Sequence, residues 1–506
     1  MPRLSVRGGR RRLDSRRRGP WGQETAVCPP TTRAIVSCRV TALLVVVCLA
    51  ALVAAVDAPG GERMWVGFHD DPSFRWEGDR DVTLNRARGA NATMVRAVVT
   101  WASVAPTRPA DATDPFDPAY QLNDVDELVR DTQKRGMEVL LTIWGTPKWA
   151  NGEKTPNVLP TRMADMTDFA EALASRYSGR YPGYPFVRFW SVWNESNLQL
   201  FLTPQFDSRG RMIGPKLYAK LYAASYKGIK AGNPRALVGL GETSSHGLDK
   251  RVPGHSDTIR PGTFARLVAQ ANPKLKFDAY AHHPYPTPLN LKPTQRVLWP
   301  NVSLASLPRF EQSLDAWFRR KNVPIWITEY GYETRPGEPA GVTEAQQASY
   351  LRQVMTTLQR DPRVAMFVWF IWQDSKSSLW QSGMLALDGR TKPALSAYAK
   401  SARPLDARNP VLRVRVGAQS AGVRIIVREF CTTDPPGTAI GASYRIRQGA
   451  RSVSNGEPRL GLAGDCSVRV LLRFPALRRG ARYVATLDFN DIHGTTVRRT
   501  ATLVGG

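Results

Sequence analysis

Two apolar stretches of the sequence each end on a glutamate. Residues 189–196 place Glu195 after a run rich in tryptophan, and residues 323–331 place Glu329 after a second run, 134 positions later. A carboxylate at the end of a buried strand is poorly solvated unless the strand opens into a cleft, which is where active sites of parallel α/β folds lie. Two such carboxylates are the groups needed for acid/base and nucleophilic work at a glycosidic bond. Either glutamate alone could instead be a capping or ion-pairing group of the fold.

The elements that must position these glutamates follow an alternating rhythm of short apolar runs and amphipathic stretches. This alternation predicts parallel strands joined by helices. The predicted strands are Met64–Phe68, Thr93–Val99, Glu138–Trp144, Val187–Asn194, Ala236–Gly241, Phe277–His282, Pro324–Glu329 and Val364–Phe370. Eight strands over residues 59–402 predict an α/β fold of the (β/α)8 TIM barrel type.

Helical patterns lie between these strands, several with proline or threonine near the start and glycine or asparagine near the end. The predicted helices are Leu122–Arg135, Met163–Arg180, Pro215–Ala231, Pro261–Ala271, Ser306–Lys321 and Thr343–Leu358. A segment around Lys392–Tyr398 has the composition of the last barrel helix. Helices placed between parallel strands are what a barrel requires.

A second domain follows a linker at residues 403–410. Residues 411–506 alternate polar and apolar positions with period two and are broken by Gly, Asn and Pro-Pro turns, which predicts a small all-β sandwich. An accessory structural role is favoured over carbohydrate binding because this region contains no tryptophan. Cys431 and Cys466 predict a disulfide if the compartment is oxidising, with two buried free thiols as the alternative.

The amino terminus predicts export. Residues 1–39, a basic leader, carry ten arginines against two acidic residues and contribute +8 of the formal net charge of +27. Within residues 40–58, a stretch of 17 positions from 40 to 56 holds no charge, which suits a signal-peptide core or a membrane anchor. Positive charge before this stretch places the remainder outside the cytoplasm, secreted or anchored. No aromatic interleaving or nucleic-acid-binding module accompanies the arginines, so nucleic acid is not expected as a partner.

Further polar and aromatic residues occupy the predicted strand ends. They are Arg96 on strand two, Trp144 on strand three, Asn194 beside Glu195, His283 and Tyr285 at strand six, and Trp369 and Trp372 on strand eight. In this order they resemble the clan A glycoside hydrolases, the (β/α)8 group that contains families 5, 10 and 39. The resemblance spans residues 64–400, with a family 39-like or family 5-like character.

This resemblance implies a role for each strand-end residue. Glu195 would be the acid/base and Glu329 the nucleophile of a retaining, two-step mechanism. Arg96 and the Tyr285 hydroxyl would contact the nucleophile, while Asn194 would bond the sugar 2-hydroxyl. His283 would orient neighbouring groups, although His282 is an alternative because either ring could point inward.

The same resemblance implies an aromatic lining for the cleft. Trp369 would floor the subsite of the cleaved sugar, with Trp372 as its rival, and Trp144 would line the cleft. Aromatic rings suit this task because they pack on the apolar faces of sugars. Burial in the hydrophobic core is the alternative for Trp369 and Trp372.

Other chemistries find no support in the sequence. There is no Gly-x-Ser-x-Gly elbow, P-loop or Gly-x-Gly-x-x-Gly motif after a strand, and no metal or organic cofactor is expected. The run His69-Asp70-Asp71 suggests sugar contact rather than a metal site. The expected function is hydrolysis of β-linked bonds in an extracellular or cell-envelope polysaccharide. A non-catalytic carbohydrate-binding barrel and a transglycosylase using the same covalent intermediate remain alternatives.

Overall fold

The structure is a computed structural model of the chain. It describes residues 64–505 apart from 377–379, 406–410, 415–419, 428–438, 463–467, 476 and 492–495. The basic leader, the uncharged segment at 40–56 and the predicted pair Cys431 and Cys466 therefore lie outside the described residues, as does most of the linker. Among the described residues, none of the helices is both long enough and apolar enough to cross a membrane.

Eight parallel strands close into a barrel in sequence order, as the sequence predicted. They are β1 (Trp65–His69), β2 (Met94–Thr100), β3 (Glu138–Trp144), β4 (Phe189–Val192), β5 (Leu237–Ser244), β6 (Ala279–His283), β7 (Ile325–Tyr330) and β8 (Val364–Phe370). β8 pairs with β1, so the sheet has no free edge. All eight carboxyl ends point to one face of the barrel, where a parallel barrel places its active site.

Ten α-helices are present in the described part of the barrel. They are α1 (Arg80–Gly89), α2 (Trp101–Val104), α3 (Asn123–Lys134), α4 (Lys148–Asn151), α5 (Met163–Arg176), α6 (Gly214–Gly232), α7 (Pro261–Ala271), α8 (Leu307–Phe318), α9 (Glu344–Gln359) and α10 (Pro393–Ala402). Sequence reasoning missed α1, α2 and α4. The clearest helix start is at α9, where Thr343 and Gln346 form a reciprocal capping box.

Side chains that point into the barrel form layers, because successive residues of a strand face opposite sides of the sheet. The buried inward-facing residues nearer the amino ends of the strands form one apolar cluster, called here the apolar layer, which consists of Met94, Leu140, Phe189, Ala279, Ala281, Trp326, Met366 and Val368. The alternate strand residues pack outward against the helices in the main hydrophobic core.

The next inward positions lie two residues further along the strands and carry a different chemistry. This set, called here the polar layer, consists of Arg96, Thr142, Ser191, His283 and Thr328, and Phe370 is the apolar residue at the same level of β8. Hydrogen bonds join Arg96 to Thr142 at 3.0 Å and Thr142 to Ser191 at 2.8 Å. The barrel interior therefore changes from apolar to polar towards the carboxyl ends of the strands.

The C-terminal region is an all-β sandwich, as predicted. One sheet has the order β10 (Ser420–Val427), β14 (Val468–Pro475), β13 (Leu460–Leu462). The other has the order β12 (Arg451–Gly456), β11 (Ala439–Gln448), β15 (Arg482–Asp491), β16 (Thr496–Gly505), β9 (Val411–Val414). Leu472 of the first sheet shares a core with Ile446 and Leu487 of the second, and all three are fully buried.

Candidate active site

Glu195 and Glu329 meet at the carboxyl face of the barrel. Glu329 belongs to β7, whereas Glu195 stands three residues beyond the end of β4, which is shorter than predicted. Trp193 and Glu195 have positive φ angles of 74° and 35°, which are uncommon for residues other than glycine and occur chiefly at functional sites. One carboxylate oxygen of Glu195 lies within 4.8 Å of one of Glu329.

Glu329 is surrounded by donors. Arg96 bonds one carboxylate oxygen and the Tyr285 hydroxyl donates to the other at 3.0 Å. His69 lies 3.3 Å away and His283 3.6 Å away. Burial alone would raise the pKa of Glu329, but the charges of His283 and Arg96 hold it well below its usual range. Glu329 is thus an ionised, oriented carboxylate.

Arg96 connects most of the site from the fully buried centre of the polar layer. Besides Glu329, its guanidinium donates to Asn194 at 2.9 Å and to Glu242 at 3.2 Å. Burial would lower the pKa of Arg96, but Glu242 and Glu329 raise it. The predicted contact between Arg96 and Glu329 is present, and Asn194 is fixed beside both.

The choice between the two histidines of β6 is decided by the strand register. His283 follows Ala281 on the inner face, with Nδ1 3.2 Å from Glu195 and Nε2 2.7 Å from Glu242. His282 faces outward and bonds Thr243 and a backbone carbonyl, and burial lowers its pKa to about 3. Burial would also lower the pKa of His283, but the surrounding carboxylates raise it to about 9. His283 is an imidazolium at neutral pH.

The two tryptophans of β8 do not reach the cleft. Trp369 is fully buried in the main hydrophobic core, and its indole donates to the backbone carbonyl of Ser382 at 2.8 Å. Trp372 packs on Phe68 in the same core, with ring centroids 4.9 Å apart. The prediction that Trp369 floors the sugar subsite was wrong. Met366 points into the barrel, and Trp369 stands on the opposite, outward face of β8.

Phe370, between the two tryptophans in sequence, is the residue that faces inward. Its ring centroid lies 5.2 Å from that of His69 and 5.7 Å from that of Trp380, in the loop after β8. Trp380 in turn lies 5.3 Å from Tyr285. The rings of Phe370, Trp380 and Tyr285 form an aromatic wall beside Glu329.

Trp144 lies where the sequence placed it, at the end of β3 and partly exposed. It follows Leu140 and Thr142 on the inward register and forms an aromatic group with Trp193 and Phe201. This group stands on the Glu195 side of the site.

The sequence His69-Asp70-Asp71 begins at the last residue of β1. One of its residues belongs to the site, and the other two have structural roles. His69 faces Glu329 and also lies 3.5 Å from Asp71. Asp70 accepts hydrogen bonds from the backbone of Trp372 and Gln373. Asp71 pairs with Arg75 and the backbone of Val98. Only His69 is placed to influence the chemistry.

Sequence reasoning missed a third glutamate of the site, Glu242 on β5. It is fully buried and bonds Arg96, His283 and Thr328. The signal was available, because β5 also ends an apolar run with a glutamate. The predicted strand stopped at Gly241, one residue before Glu242 and three residues before the observed end of β5.

Glu195, His283 and Glu329 each offer one atom within 4.8 Å of the others, a spacing that could accommodate a cation. The chemistry of the set argues otherwise. Both ring nitrogens of His283 face carboxylates, and an imidazolium has no lone pair for a metal. The guanidinium of Arg96 already supplies positive charge to Glu329.

Comparisons with known proteins identify the family of the chain and agree with its fold. The family model described as Cellulase (glycosyl hydrolase family 5) matches residues 56–375. No curated protein matches the chain. Among solved structures, a family 39 glycoside hydrolase from the gut symbiont Bacteroides cellulosilyticus WH2 is similar with a TM-score of 0.50 and 19% identity, covering 83% of this chain and 82% of that one. A family 5, subfamily 18 protein from Streptomyces cattleya, solved in complex with GlcNAc, has a TM-score of 0.50 and 17% identity, covering 71% and 85%.

Proposed function

The chain belongs to glycosyl hydrolase family 5 and is a glycosidase of clan A, and on that premise we propose that it cleaves β-linked bonds with retention of configuration. Glu329 is the nucleophile and Glu195 the acid/base. The observation that carries the proposal is the approach of the two carboxylates to within 4.8 Å. Retaining enzymes hold their carboxyl groups about 5–5.5 Å apart, whereas inverting enzymes need roughly 6.5–9.5 Å for an intervening water.

The first step forms a bond between a Glu329 oxygen and the anomeric carbon. The bond from that carbon to the leaving oxygen breaks, and Glu195 gives its proton to the leaving oxygen. Arg96 and Tyr285 keep Glu329 ionised and aimed. Asn194, held by Arg96, is placed to bond the sugar 2-hydroxyl.

The second step releases the sugar. Water attacks the anomeric carbon, passes a proton to Glu195 and displaces Glu329. The two inversions together retain the configuration. A sugar acceptor in place of water would give transglycosylation, and product analysis separates these two outcomes.

The proposed substrate is an extracellular or cell-envelope polysaccharide. A groove of about 300 Å³ continues from Tyr285 along Ser245, Thr287, Arg296 and Leu298. Such an extension supports binding of sugar units beyond the one that is cleaved. Efficient turnover of small aryl glycosides with no action on any polysaccharide would contradict this substrate class.

The proposed location is outside the cytoplasm, by secretion or by an amino-terminal anchor. It is supported by the arginine-rich leader and the 17 uncharged residues that follow it. Cell fractionation with protease protection tests the proposal. Recovery of the intact chain in the cytosol would contradict it.

Trapping of the covalent intermediate tests the mechanism. The full chain is exposed to a panel of 2-fluoro-glycosyl inactivators, and its intact mass is measured beside that of Glu329→Gln. We expect a gain of one sugar in the wild type and none in the variant, with the labelled peptide containing Glu329. Label on another residue, or release of product with inverted configuration, would overturn the assignment.

A further inference from the structure

Glu242 is a buried charge for which the proposed mechanism has no use. It stands on β5 at the carboxyl face of the barrel and is fully inaccessible to solvent. An unpaired carboxylate there would be costly, because burial disfavours the charged form. Its surroundings must therefore compensate for that cost.

A single oxygen of Glu242, Oε2, receives donors from three strands. His283 of β6 lies at 2.7 Å, the Thr328 hydroxyl of β7 at 2.8 Å and Arg96 of β2 at 3.2 Å. Two of these residues also contact a proposed catalytic glutamate: Arg96 contacts Glu329, and His283 contacts Glu195. Glu242 is therefore a hydrogen-bond partner shared by Arg96 and His283.

The backbone of β5 is shaped to aim Glu242 inward. The pairing of β5 with β6 shifts register between Gly241 and Thr243, so the strand bulges at Glu242. Gly241 has a φ of 110°, and a Cβ there would lie 2.6 Å from the Tyr280 ring. Glu242 itself has a φ of 45°. A non-glycine residue in this region is strained, and such strain occurs chiefly at functional sites.

We propose that Glu242 is a positioning residue, which holds His283 as an imidazolium and fixes it, with Arg96, against Glu195 and Glu329. The proposal rests on the retaining function assigned to those two glutamates. Glu242 touches neither the substrate nor the reacting atoms.

The charges of the cluster support this assignment. Two carboxylates, Glu242 and Glu329, together with the acid/base residue Glu195, surround two cations, Arg96 and His283. Burial would raise the pKa of Glu242, but Arg96 and His283 hold it below its usual range. The charged and titratable groups that face or adjoin His283 are Arg96, Glu195, Glu242, His282, Tyr285 and Glu329. Of the carboxylates, Glu242 makes the shortest contact with its ring.

Titration of His283 tests the proposal without any substrate. The full chain, which has six histidines, is labelled with 13Cε1-histidine and followed by NMR from pH 6 to 10, with His283→Gln to assign the signal. We expect His283 to titrate near pH 9 in the wild type. In Glu242→Gln we expect its midpoint to fall by at least about one pH unit, because burial then acts with one carboxylate fewer.

A matched control is available in Glu311 on α8, another buried glutamate, remote from the polar layer. Glu311→Gln makes the same chemical change and should leave the His283 titration where it is. Thr328→Val removes one donor to Glu242 and keeps its charge, so it serves if Glu242→Gln does not fold. We expect a smaller shift of the His283 midpoint in Thr328→Val.

Kinetics supply the second readout. With the dinitrophenyl β-glycoside of the sugar that labels Glu329, departure of the leaving group needs no proton from Glu195, so kcat/KM, which reports formation of the bond to Glu329, depends on the nucleophile and its supports. We expect Glu242→Gln to lower kcat/KM about 10²-fold, the size of effect that misplacement by about 1 Å produces. Glu311→Gln should retain wild-type kcat/KM.

Two results would overturn the proposal. One is a His283 midpoint that is the same in wild type, Glu242→Gln and Thr328→Val. The other is a Glu242→Gln protein with a lowered Tm and unchanged kcat/KM, which would make Glu242 a stabilising group only. If an inactivator labels a residue other than Glu329, the assigned function fails, but the titration still decides whether Glu242 controls the charge of His283.

Discussion

Along the same barrel strands, the apolar layer and the polar layer lie two residues apart. Met94 precedes Arg96, Ala281 precedes His283 and Trp326 precedes Thr328 in this way. Between β2 and β3, backbone pairing is continuous through both layers, so these strands do not distinguish them. The difference lies entirely in the side chains, and it separates stability from chemistry within one sheet.

The two layers differ in how burial affects free energy. Burial of the apolar layer favours folding, because removal of apolar surface from water is favourable. Burial of the charges in and around the polar layer opposes folding unless each charge is paired, and the pairs at best offset their own desolvation. A buried ionic cluster of this size is therefore better explained by function than by stability.

The largest effect expected in the polar region is that of Glu329→Gln. It removes the proposed nucleophile and keeps the side-chain volume, so turnover should fall on the order of 10⁴-fold or more. The fold should persist because Arg96 keeps Glu242 as a partner. Steady-state kinetics and circular dichroism measure the two properties on one preparation. Activity that survives within tenfold would contradict the role of Glu329.

Trp326→Ala is the corresponding test in the apolar layer. Trp326 is almost fully buried and packs edge-on against Phe189, with ring centroids 5.6 Å apart. Its truncation should cost about 3–5 kcal/mol of unfolding free energy through lost burial and a cavity. Urea unfolding measures this loss, with Trp326→Phe as a milder control.

The comparison requires that folded Trp326→Ala protein still be labelled by the inactivator that labels the wild type. Loss of labelling in a folded protein would show that the two layers are not separable.

Much of the barrel and of its site could be predicted from the sequence, because the period of a strand and its apolar runs are local signals. The eight strands were found within a few residues of their observed bounds, and Arg96, Tyr285 and the two glutamates were brought together as expected. Motif order within the barrel carried this information, since carboxyl ends of successive strands meet at one face.

The errors arose where one residue of register decides which face a side chain takes. Trp369 was assigned to the cleft and Phe370 was not considered, although these neighbours face opposite ways. Glu242 was missed because its inward position depends on a β-bulge at Gly241. A bulge shifts side-chain orientation by one residue and has no clear period in the sequence.

The dependence of stability on pH should also distinguish the layers. The pKa of His283 is raised from 6.5 to about 9. Its contribution is therefore fully present below pH 6.5 and is lost as the pH rises through about 9. This corresponds to roughly 3 kcal/mol. The apolar layer contains no titrating group, so its contribution stays constant over the same range.

The measurement is urea unfolding of wild type and His283→Gln from pH 6 to 10. Other groups titrate here, including Glu311, whose pKa burial raises to about 8. The difference between the two curves isolates His283. We expect this difference to shrink as the pH rises. A difference that is flat from pH 6 to 10 would mean that His283 is neutral throughout.

The smallest effect expected is that of Tyr285→Phe, and it sharpens the comparison most. The change removes one hydroxyl, which donates to Glu329 at 3.0 Å, and leaves the ring against Trp380. A hydrogen bond to a charged group contributes about 1.5–3 kcal/mol, so kcat/KM should fall roughly 10- to 100-fold. Tyr222→Phe is the matched control, because its buried hydroxyl donates to the backbone carbonyl of Val238 on the outer face of the barrel. Tyr222→Phe should lower the free energy of unfolding by about as much as Tyr285→Phe does, and it should leave kcat/KM unchanged. Equal kinetic losses in both variants would mean that the rate follows general stability rather than the bond between Tyr285 and Glu329.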